Sequence, residues 1–225
     1  MKILCTNGLK SVMLELLPEL ERKGAIRIAT TWGSTMGLAK DVEGGAGGDL
    51  AILTGEAIDD LIAGGKMVAG SRVDLARSGI GLAVRHGASK PDIGSPEALK
   101  GALLAAKSVA HSKAGASGIY FPSVLERLGI GEQMRPKMVV PASGVPIGEI
   151  VANGEAEIGI QQISELLPVA GIEIVGPLPA PLQKITTFSA GVLATANDPR
   201  AAAALVESIA AASRPLLQAK GLEAP

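Results

Sequence analysis

The sequence contains few of the residues that most often build reactive or nucleic-acid-binding sites. Its 225 residues include one Cys, two His, one Trp, one Tyr and two Phe. A single cysteine excludes an internal disulfide and a cysteine-built metal site, and His86 and His111 are far apart with no His-Glu-x-x-His spacing. A formal net charge of −1 and the scarcity of aromatics argue against nucleic-acid binding. We therefore expect no metal, no cofactor and no nucleic-acid partner.

Long apolar runs are also missing, so we expect no direct insertion into a membrane. The chain passes from Met1 straight into a predicted strand, without the basic and apolar segments of a signal peptide. Two interpretations stay open. The protein is periplasmic if a leader has been removed from the natural product, and it is cytoplasmic otherwise.

Short apolar runs alternate with helical patterns, which is typical of α/β architecture. Hydrophobic residues make up 47% of the chain and charged residues 19%, which is enough for a packed core. Two runs, at 77–85 and 185–194, are long enough to cross between two lobes. The predicted strands lie at 2–6, 26–31, 50–54, 108–111, 138–140, 158–161 and 172–175. Four helices are predicted at 9–23, 56–63, 117–128 and 146–152, and three more are predicted to start near residues 34, 96 and 199.

One local pattern recurs where a predicted strand ends and a helix begins. It is clearest at Gly33-Ser34-Thr35, Ala116-Ser117-Gly118 and Ser143-Gly144-Val145, and looser at Asn7-Gly8. Each copy places backbone N–H groups and a polar side chain at a helix N-terminus, which is a favourable place for an anion. The alternative is ordinary helix capping, and the sequence leaves the two open.

The glycine run Gly44-Gly45-Ala46-Gly47-Gly48 has the composition of a phosphate-binding loop but the wrong context. Such a loop follows a strand and opens a helix. This run precedes a predicted strand, so we interpret it as a turn.

Two further polar pairs are candidate ligand groups. Arg77-Ser78 begins an apolar run and offers a cation beside a hydroxyl, a combination that can bind a carboxylate. Gln161-Gln162 follows the apolar segment Ile158–Ile160, and strand alternation predicts that one of the two amides faces solvent.

Nucleophilic catalysis has little support. No Gly-x-Ser-x-Gly motif is present. His111 and Lys113 lie near Ser117 in sequence, so an acid/base role is conceivable, but a single histidine at a strand end more often has a structural role. We assign no catalytic residue.

Several segments together resemble the type II periplasmic solute-binding proteins, in particular the molybdate-binding branch. Gly47-Gly48-Asp49-Leu50 is similar to that family's Gly-x-x-Asp-hydrophobic turn, and Ala116–Tyr120 to its Pro-Ala-Gly-x-Tyr stretch. Gly154–Ile160 is similar to Gly-Glu-Ala-Asp-x-Gly-Ile, and Lys220–Glu223 to the family's closing Tyr-Gly-Phe. The order of the motifs is more specific than any one of them.

The resemblance implies two α/β lobes, each a mixed sheet flanked by helices, with two crossing hinge strands and a ligand in the interlobe cleft. It places lobe 1 at 1–79 and 189–225 and lobe 2 at 80–188. It also implies a monomer with a small anionic ligand and an ABC permease as partners. The candidate ligand-binding residues are Asn7, Gly8, Ser34, Thr35, Arg77, Ser78, Ser117, Gly118, Ser143, Val145, Gln161 and Gln162.

Two departures from the family bear on the ligand. Gln162 stands where the molybdate binders carry a tyrosine, and Arg77 adds a cation to an otherwise neutral pocket. Both favour a carboxylate over a metal oxyanion. The first hypothesis is a binding protein for an ABC-type importer. Because the family also includes an enzyme that isomerises trans-aconitate, a cofactor-independent isomerase is the alternative, and a cytoplasmic ligand-sensing module is the third.

Overall fold

The short apolar runs form sheet strands because alternate residues bury their side chains on opposite faces. In the first strand, Ile3 and Cys5 pack in one core cluster and Leu4 packs in another. The structure is a computed structural model that describes residues 1–142 and 144–225. Its contacts divide the chain into two units, Met1–Ser78 with Thr186–Pro225, and Gly79–Ile185.

The first unit contains a five-stranded mixed sheet in the order β2-β1-β3-β10-β4. β1 pairs in parallel with β2 and β3, and β10 pairs antiparallel with both β3 and β4. Its strands are β1 (Lys2–Thr6), β2 (Ala29–Gly33), β3 (Leu50–Thr54), β4 (Val73–Ser78) and β10 (Thr186–Val192).

Helices cover both faces of this sheet. One core cluster joins the sheet to the first and last helices, and a second joins it to the two between. The helices are α1 (Lys10–Gly24), α2 (Thr35–Glu43), α3 (Gly55–Ala63) and α9 (Pro199–Ser213). Asp198 caps α9 by accepting hydrogen bonds from the N–H groups of Arg200 and Ala201, as the Asp-Pro start predicts.

The second unit contains another five-stranded mixed sheet, in the order β7-β6-β8-β5-β9. β6 is parallel to β7 and β8, and β5 is antiparallel to β8 and β9. Its strands are β5 (Ile80–Arg85), β6 (Val109–His111), β7 (Met138–Val139), β8 (Ile158–Gln162) and β9 (Ile172–Pro177), and its helices are α4 (Pro96–Ala105), α5 (Ala116–Arg127), α6 (Gly131–Met134), α7 (Ile147–Ala152) and α8 (Ile163–Leu166). The predicted α/β class with a mixed sheet in each lobe is confirmed.

The second strand begins three residues later than predicted and runs to Gly33. Its expected first residues instead complete the end of α1. The N–H of Ile26 donates to the Glu21 carbonyl, and that of Ile28 donates to the Glu21 carboxylate at 2.6 Å. These bonds use the N–H groups that a strand would need.

The long apolar run at 77–85 forms two strands in two different sheets. β4 ends at Ser78 in the first unit and β5 begins at Ile80 in the second. The run at 185–194 gives β10, which pairs only within the first unit among the described residues. Both runs therefore lie where the chain passes from one unit to the other.

Candidate functional site

The parallel strands of the first unit end at one edge of its sheet. β1, β2 and β3 end at Thr6, Gly33 and Thr54, and a helical segment follows each of them directly. The N-termini of these segments therefore lie at the same carboxyl edge. Because helix N-termini present free N–H groups and partial positive charge, this edge is the candidate anion-binding surface of the first unit.

Ser34 and Thr35 open α2 as the sequence predicts. Ser34 is the N-cap, and its Oγ accepts a hydrogen bond from the Gly37 N–H at 3.2 Å. The Thr35 hydroxyl donates to the Thr6 hydroxyl at 3.2 Å, and both residues are 4% exposed. The pair ties the start of α2 to the end of β1. Capping and pairing thus order the hydroxyl groups at this edge.

Asn7 and Gly8 lie in a short 3-10 turn, Asn7–Leu9, between β1 and α1. A Cβ on Gly8 would lie 2.3 Å from Cζ of Phe188 on β10. Gly8 therefore lets the turn pack against the sheet. The predicted contact of both residues with a ligand stays a prediction.

Sequence reasoning missed Thr54 as a member of this edge. Thr54 is buried at the end of β3 and caps α3 by accepting from the Ala57 N–H at 3.4 Å. The same signal, a hydroxyl residue between a strand and a helix, was present at Thr54-Gly55. Unlike α2, α3 carries an acid in its first turn, Glu56.

Arg77 has partners in the C-terminal segment. Its N–H and carbonyl pair with the backbone of Glu223, and its Nε donates to the Ala224 carbonyl at 3.0 Å. The Glu223 carboxylate lies 4.0 Å from its guanidinium, which is still 45% exposed. Ser78, the next residue, is buried. The structure gives Arg77 a role in anchoring the chain terminus, and its contact with a ligand stays a prediction.

The second unit has its own carboxyl edge, where β6 and β8 end at His111 and Gln162. The loop 112–115 leads from β6 into α5, whose N-cap is Gly115 without a side-chain cap. The Ser117 hydroxyl is fully buried in the first turn, and neither it nor the buried Ser112 hydroxyl has a hydrogen-bond partner among the described residues. A buried hydroxyl without a partner costs free energy. The Ser11 and Ser164 hydroxyls, in the first turns of α1 and α8, are likewise buried without partners among the described residues.

Gly118 explains how this loop packs so tightly. A Cβ at position 118 would lie 1.8 Å from the carbonyl oxygen of Ser112. Only glycine fits there, because that distance is far inside van der Waals contact. The absence of a side chain at Gly118 therefore allows Ser112 to pack against the start of α5.

The surroundings of His111 indicate a structural role. Its Nδ1 lies 3.0 Å from the Ser112 carbonyl, and its ring lies 5.6 Å from that of Phe121. Burial lowers the pKa of His111, although hydrogen bonds to the backbone of Ser112 and Gly118 oppose the change. The neutral ring holds the loop that carries Ser112.

Gln161 and Gln162 are both buried, so the prediction that one faces solvent was wrong. β8 is an interior strand of its sheet, and helices cover both of its faces. Gln161 is used structurally: its Oε1 accepts from the Ile147 N–H at the start of α7, and its Nε2 donates to Glu165 at 2.9 Å. Burial raises the pKa of Glu165 to about 7, and the Gln161 hydrogen bond only partly offsets this rise.

The remaining candidate residues of the second unit precede α7. Val145 is exposed beside its start, and Ser143 lies outside the described residues. α7 begins with Pro146 as its N-cap and carries Glu149 in its first turn. Only part of the predicted Ser143-Gly144-Val145 element can therefore be placed.

The acidic residues divide the helices at these edges into two groups. The first turn contains an acid in α3, α7 and α8 and none in α1, α2 and α5. An acid there stabilises an isolated helix but repels a bound anion. The three helices without one are those that follow Asn7, Ser34 and the loop before Ser117.

The family follows from comparison with known proteins. A family model described as bacterial extracellular solute-binding protein matches residues 1–223. The chain belongs to this family. An aconitate isomerase of a Pseudomonas species is 36% identical to this solute-binding protein over 215 residues, 92% of this chain and 81% of that protein. The molybdate-binding protein ModA of Azotobacter vinelandii is 27% identical over 203 residues, 87% of this chain and 78% of that protein.

Solved structures agree on the fold of this solute-binding protein. The periplasmic molybdate-binding protein of Azotobacter vinelandii matches with a TM-score of 0.82 at 17% identity, over 100% of this chain and 99% of that one. The predicted resemblance to the molybdate-binding branch, and with it the two-lobed type II fold, is confirmed.

No helix in 1–142 or 144–225 is long and apolar enough to cross a bilayer. Within the same residues, no cluster of three or more His, Cys, Asp or Glu side chains could hold a metal ion.

Proposed function

We propose that this solute-binding protein reversibly binds a small anion at the carboxyl edges of its sheets, with a carboxylate as the favoured class and an oxyanion as the alternative. The N-terminus of α5 carries the proposal. There the Ser117 hydroxyl is fully buried without a partner among the described residues, and the first turn contains no acid. Leaving such a group unsatisfied costs about 1–3 kcal/mol. An anionic oxygen would accept a hydrogen bond from it and from the free N–H groups of the turn.

The first unit supports the same chemistry with ordered donors. The Ser34 and Thr6 hydroxyls accept hydrogen bonds from the Gly37 N–H and the Thr35 hydroxyl, so they are held in place before a ligand arrives while each keeps a proton to donate. Fixed donors lower the entropy that binding costs. Asn7 adds an amide at the start of the same edge.

The favoured ligand class rests on the family resemblance and on one relative. The resemblance places Gln162, which is buried at the end of β8, where the molybdate binders carry a tyrosine. The relative at 36% identity is named an aconitate isomerase, and aconitate is a tricarboxylate. Because the chain belongs to a family of extracellular solute-binding proteins and shares the fold of a periplasmic molybdate-binding protein, we also propose that it works outside the cytoplasm and delivers its ligand to an ABC-type importer, as a monomer.

A thermal-shift screen tests the proposal, because a ligand that binds only the folded state raises Tm by mass action. The panel contains molybdate, sulfate, butyrate, glutarate, tricarballylate and trans-aconitate. We expect carboxylates to raise Tm and titration calorimetry to give one ligand per chain. A panel without any stabilising anion would overturn the proposal.

Matched serine variants locate the binding groups. Ser34→Ala and Ser117→Ala are expected to weaken binding of the best anion at least about tenfold, the effect of losing a hydrogen bond to a charged group. Ser208→Ala is the control, because Ser208 lies exposed on α9 and donates to the Ala204 carbonyl. Arg77→Ala decides whether that guanidinium contributes as well. Equal affinity in Ser34→Ala, Ser117→Ala and the control would place the site elsewhere.

Isomerisation of a small unsaturated carboxylic acid is the second candidate function, and Glu165 favours it. Its carboxyl lies on α8 directly after β8 and has a pKa raised to about 7, which suits a group that accepts and returns a proton near neutral pH. Proton NMR of trans-aconitate with the protein separates the two functions. An unchanged spectrum supports reversible binding, and appearance of the cis isomer that Glu165→Gln abolishes supports catalysis.

A further inference from the structure

The carboxyl edge of the second unit carries an acidic group that the proposed anion would meet. Glu165 lies on α8, which begins directly after β8, and β8 lies beside β6 in the sheet. Neighbouring strands are about 4.8 Å apart, and the screening length is about 8 Å at physiological salt. α5, which follows β6, also packs against β8. Glu165 is therefore close enough for its charge to act on an anion at the start of α5, where Ser117 lies.

The partner of the Glu165 carboxyl is a neutral amide. Gln161 donates from Nε2 to Oε2 of Glu165 at 2.9 Å, and Oε1 of Gln161 accepts from the Ile147 N–H at 3.1 Å. Because Ile147 offers a proton, the amide must present its oxygen there and its N–H group to Glu165. No Lys, Arg or His side chain of the described residues lies within 4.0 Å of this carboxyl. An ionised Glu165 would therefore keep its negative charge without compensation.

The charged groups on the elements that pack against α8 do not compensate it either. α8 contacts β5, β8, β9 and α7, and β8 contains no charged residue. Arg85 of β5 and Glu173 of β9 lie at the other end of the sheet, where Val84 pairs with Ile158. Glu149, in the first turn of α7, is exposed and adds negative charge to this edge.

The charge of Glu165 changes near neutral pH. Burial raises its pKa to about 7, so both forms of the carboxyl are populated there. The neutral form leaves the partial positive charge of the α5 N-terminus free to attract an anion, whereas the ionised form repels one. His111 and Lys113 follow β6 at the same edge. Burial lowers the pKa of His111, so its ring stays neutral where Glu165 titrates, and the Lys113 ammonium attracts an anion in either case.

We propose that protonation of Glu165 regulates the anion site of the second unit, so that the ligand binds together with a proton. The neutral carboxyl permits binding and the ionised carboxyl opposes it, so the affinity falls as the pH rises. Because this linkage is reciprocal, a bound anion also makes the carboxyl hold its proton more tightly. One unit charge at roughly 10 Å, with an effective dielectric constant of about 20 and screening by salt, changes an affinity about three- to tenfold. This inference rests on the proposed function and adds the regulation of its site.

The test measures binding of three unreactive probes, tricarballylate, glutarate and molybdate, by titration calorimetry at about pH 6 and about pH 8. Two buffers of different ionisation enthalpy report the protons taken up. We expect the wild type to bind about three- to tenfold more weakly at the higher pH and to take up a fraction of a proton near neutral pH. Glu165→Gln, which keeps the hydrogen bond but carries no charge, should lose this uptake and bind at the higher pH as tightly as at the lower. Comparing the two proteins cancels protonation of the probe and of His111.

A matched control separates local charge from net charge. Glu157→Gln removes an acid that directly precedes β8, at the opposite end of that strand from Glu165, and it should keep the pH dependence of the wild type. Wild-type affinity that is equal at both pH values would overturn the inference, and so would unchanged proton uptake in Glu165→Gln or an equal loss of uptake in the control. In each of these cases the proposed function stands. A wild-type protein that binds none of the three probes at either pH would overturn both.

Discussion

The carboxyl edges of the two sheets are built from the same parts but leave their hydroxyl groups in different states. In the first unit, the hydroxyls of Ser34 and Thr54 accept hydrogen bonds from their own helices, and Thr35 pairs with Thr6. In the second unit, the hydroxyls of Ser112, Ser117 and Ser164 are buried without partners among the described residues, and so is that of Ser11 in the first turn of α1 in the first unit. In both units, a strand is followed by a residue with a hydroxyl group and then by a helix.

The difference arises from the N-caps. Ser34 takes the capping position of α2, so its hydroxyl contributes to stability whether or not a ligand is bound. Glycine takes that position in α5, and the serine comes two residues later, inside the first turn. A side chain there cannot cap its own helix. Most hydroxyl groups of the first edge are thus ordered in advance, whereas Ser112, Ser117 and Ser164 of the second have hydrogen bonds still to make.

The largest effect is expected from filling the space at Gly118. In Gly118→Ala, the new Cβ would lie 1.8 Å from the Ser112 carbonyl oxygen. The loop must move, and we expect a loss of about 3 kcal/mol in the free energy of unfolding together with loss of anion binding. Urea unfolding and calorimetry measure the two effects.

Gly101→Ala in α4 is the matched control, because its added Cβ has no heavy atom within 4 Å apart from its chain neighbours and the backbone of its own helix. Alanine should stabilise that helix by about 0.5–1 kcal/mol. Similar unfolding energies for Gly118→Ala and the wild type would mean that the loop 112–115 is not tightly held.

Substituting the two serines is expected to change the free energy of unfolding by different amounts, an effect of intermediate size. Ser34→Ala removes an N-cap and should cost about 1 kcal/mol of unfolding free energy. Ser117→Ala removes a buried hydroxyl without a partner, so the unliganded protein should be as stable as the wild type or more stable. Urea unfolding without ligand gives both values. Destabilisation by Ser117→Ala equal to that by Ser34→Ala would remove the difference between the two edges.

The smallest effect concerns the pH dependence of stability in the second unit. The pKa of Glu165 is raised to about 7 by burial, so between its ordinary value and 7 the folded state binds more protons than the unfolded state. Stability therefore falls as the pH rises through this window, and it is level above it. Since the side chain is partly exposed, we expect Glu165→Gln to reduce the fall in Tm between pH 5 and pH 8 by about 1–3 °C.

His111 contributes in the opposite direction, because its lowered pKa makes the folded state bind fewer protons near pH 6. The comparison of Glu165→Gln with the wild type cancels this contribution. Parallel Tm profiles for the two proteins would show that the Glu165 carboxyl titrates normally.

Elements with a strong local signal were predictable from the sequence. β1 and β3 have the predicted bounds, and Ser34, Ser95 and Asp198 each cap a helix at the predicted place. Apolar alternation and capping act over a few residues, so a short window of sequence contains them. The start of β2 was misplaced because the Glu21 carboxylate, which accepts from Ile28, is supplied by the preceding helix.

The candidate site was only partly predictable for a related reason. Ser34 and Ser117 belong to a local pattern, but whether a hydroxyl is already satisfied depends on neighbours that the pattern does not contain. The Thr35–Thr6 pair joins residues 29 positions apart, and Gln161 reaches across 14 residues to the start of α7. Burial of both glutamines followed from β8 lying inside its sheet, which no single strand determines.

The sequence by itself determined the α/β class, the strand-to-helix order and the positions of most helix starts, because each depends on short-range periodicity and on capping chemistry. The tertiary structure alone decided which hydroxyls have partners, that Arg77 binds the C-terminal segment, and that Gln161 pairs with Glu165. The physical reason is that burial and charge pairing depend on distance in space. Folding brings together residues that are far apart in the chain, and only then are their polar groups satisfied or left free for a ligand.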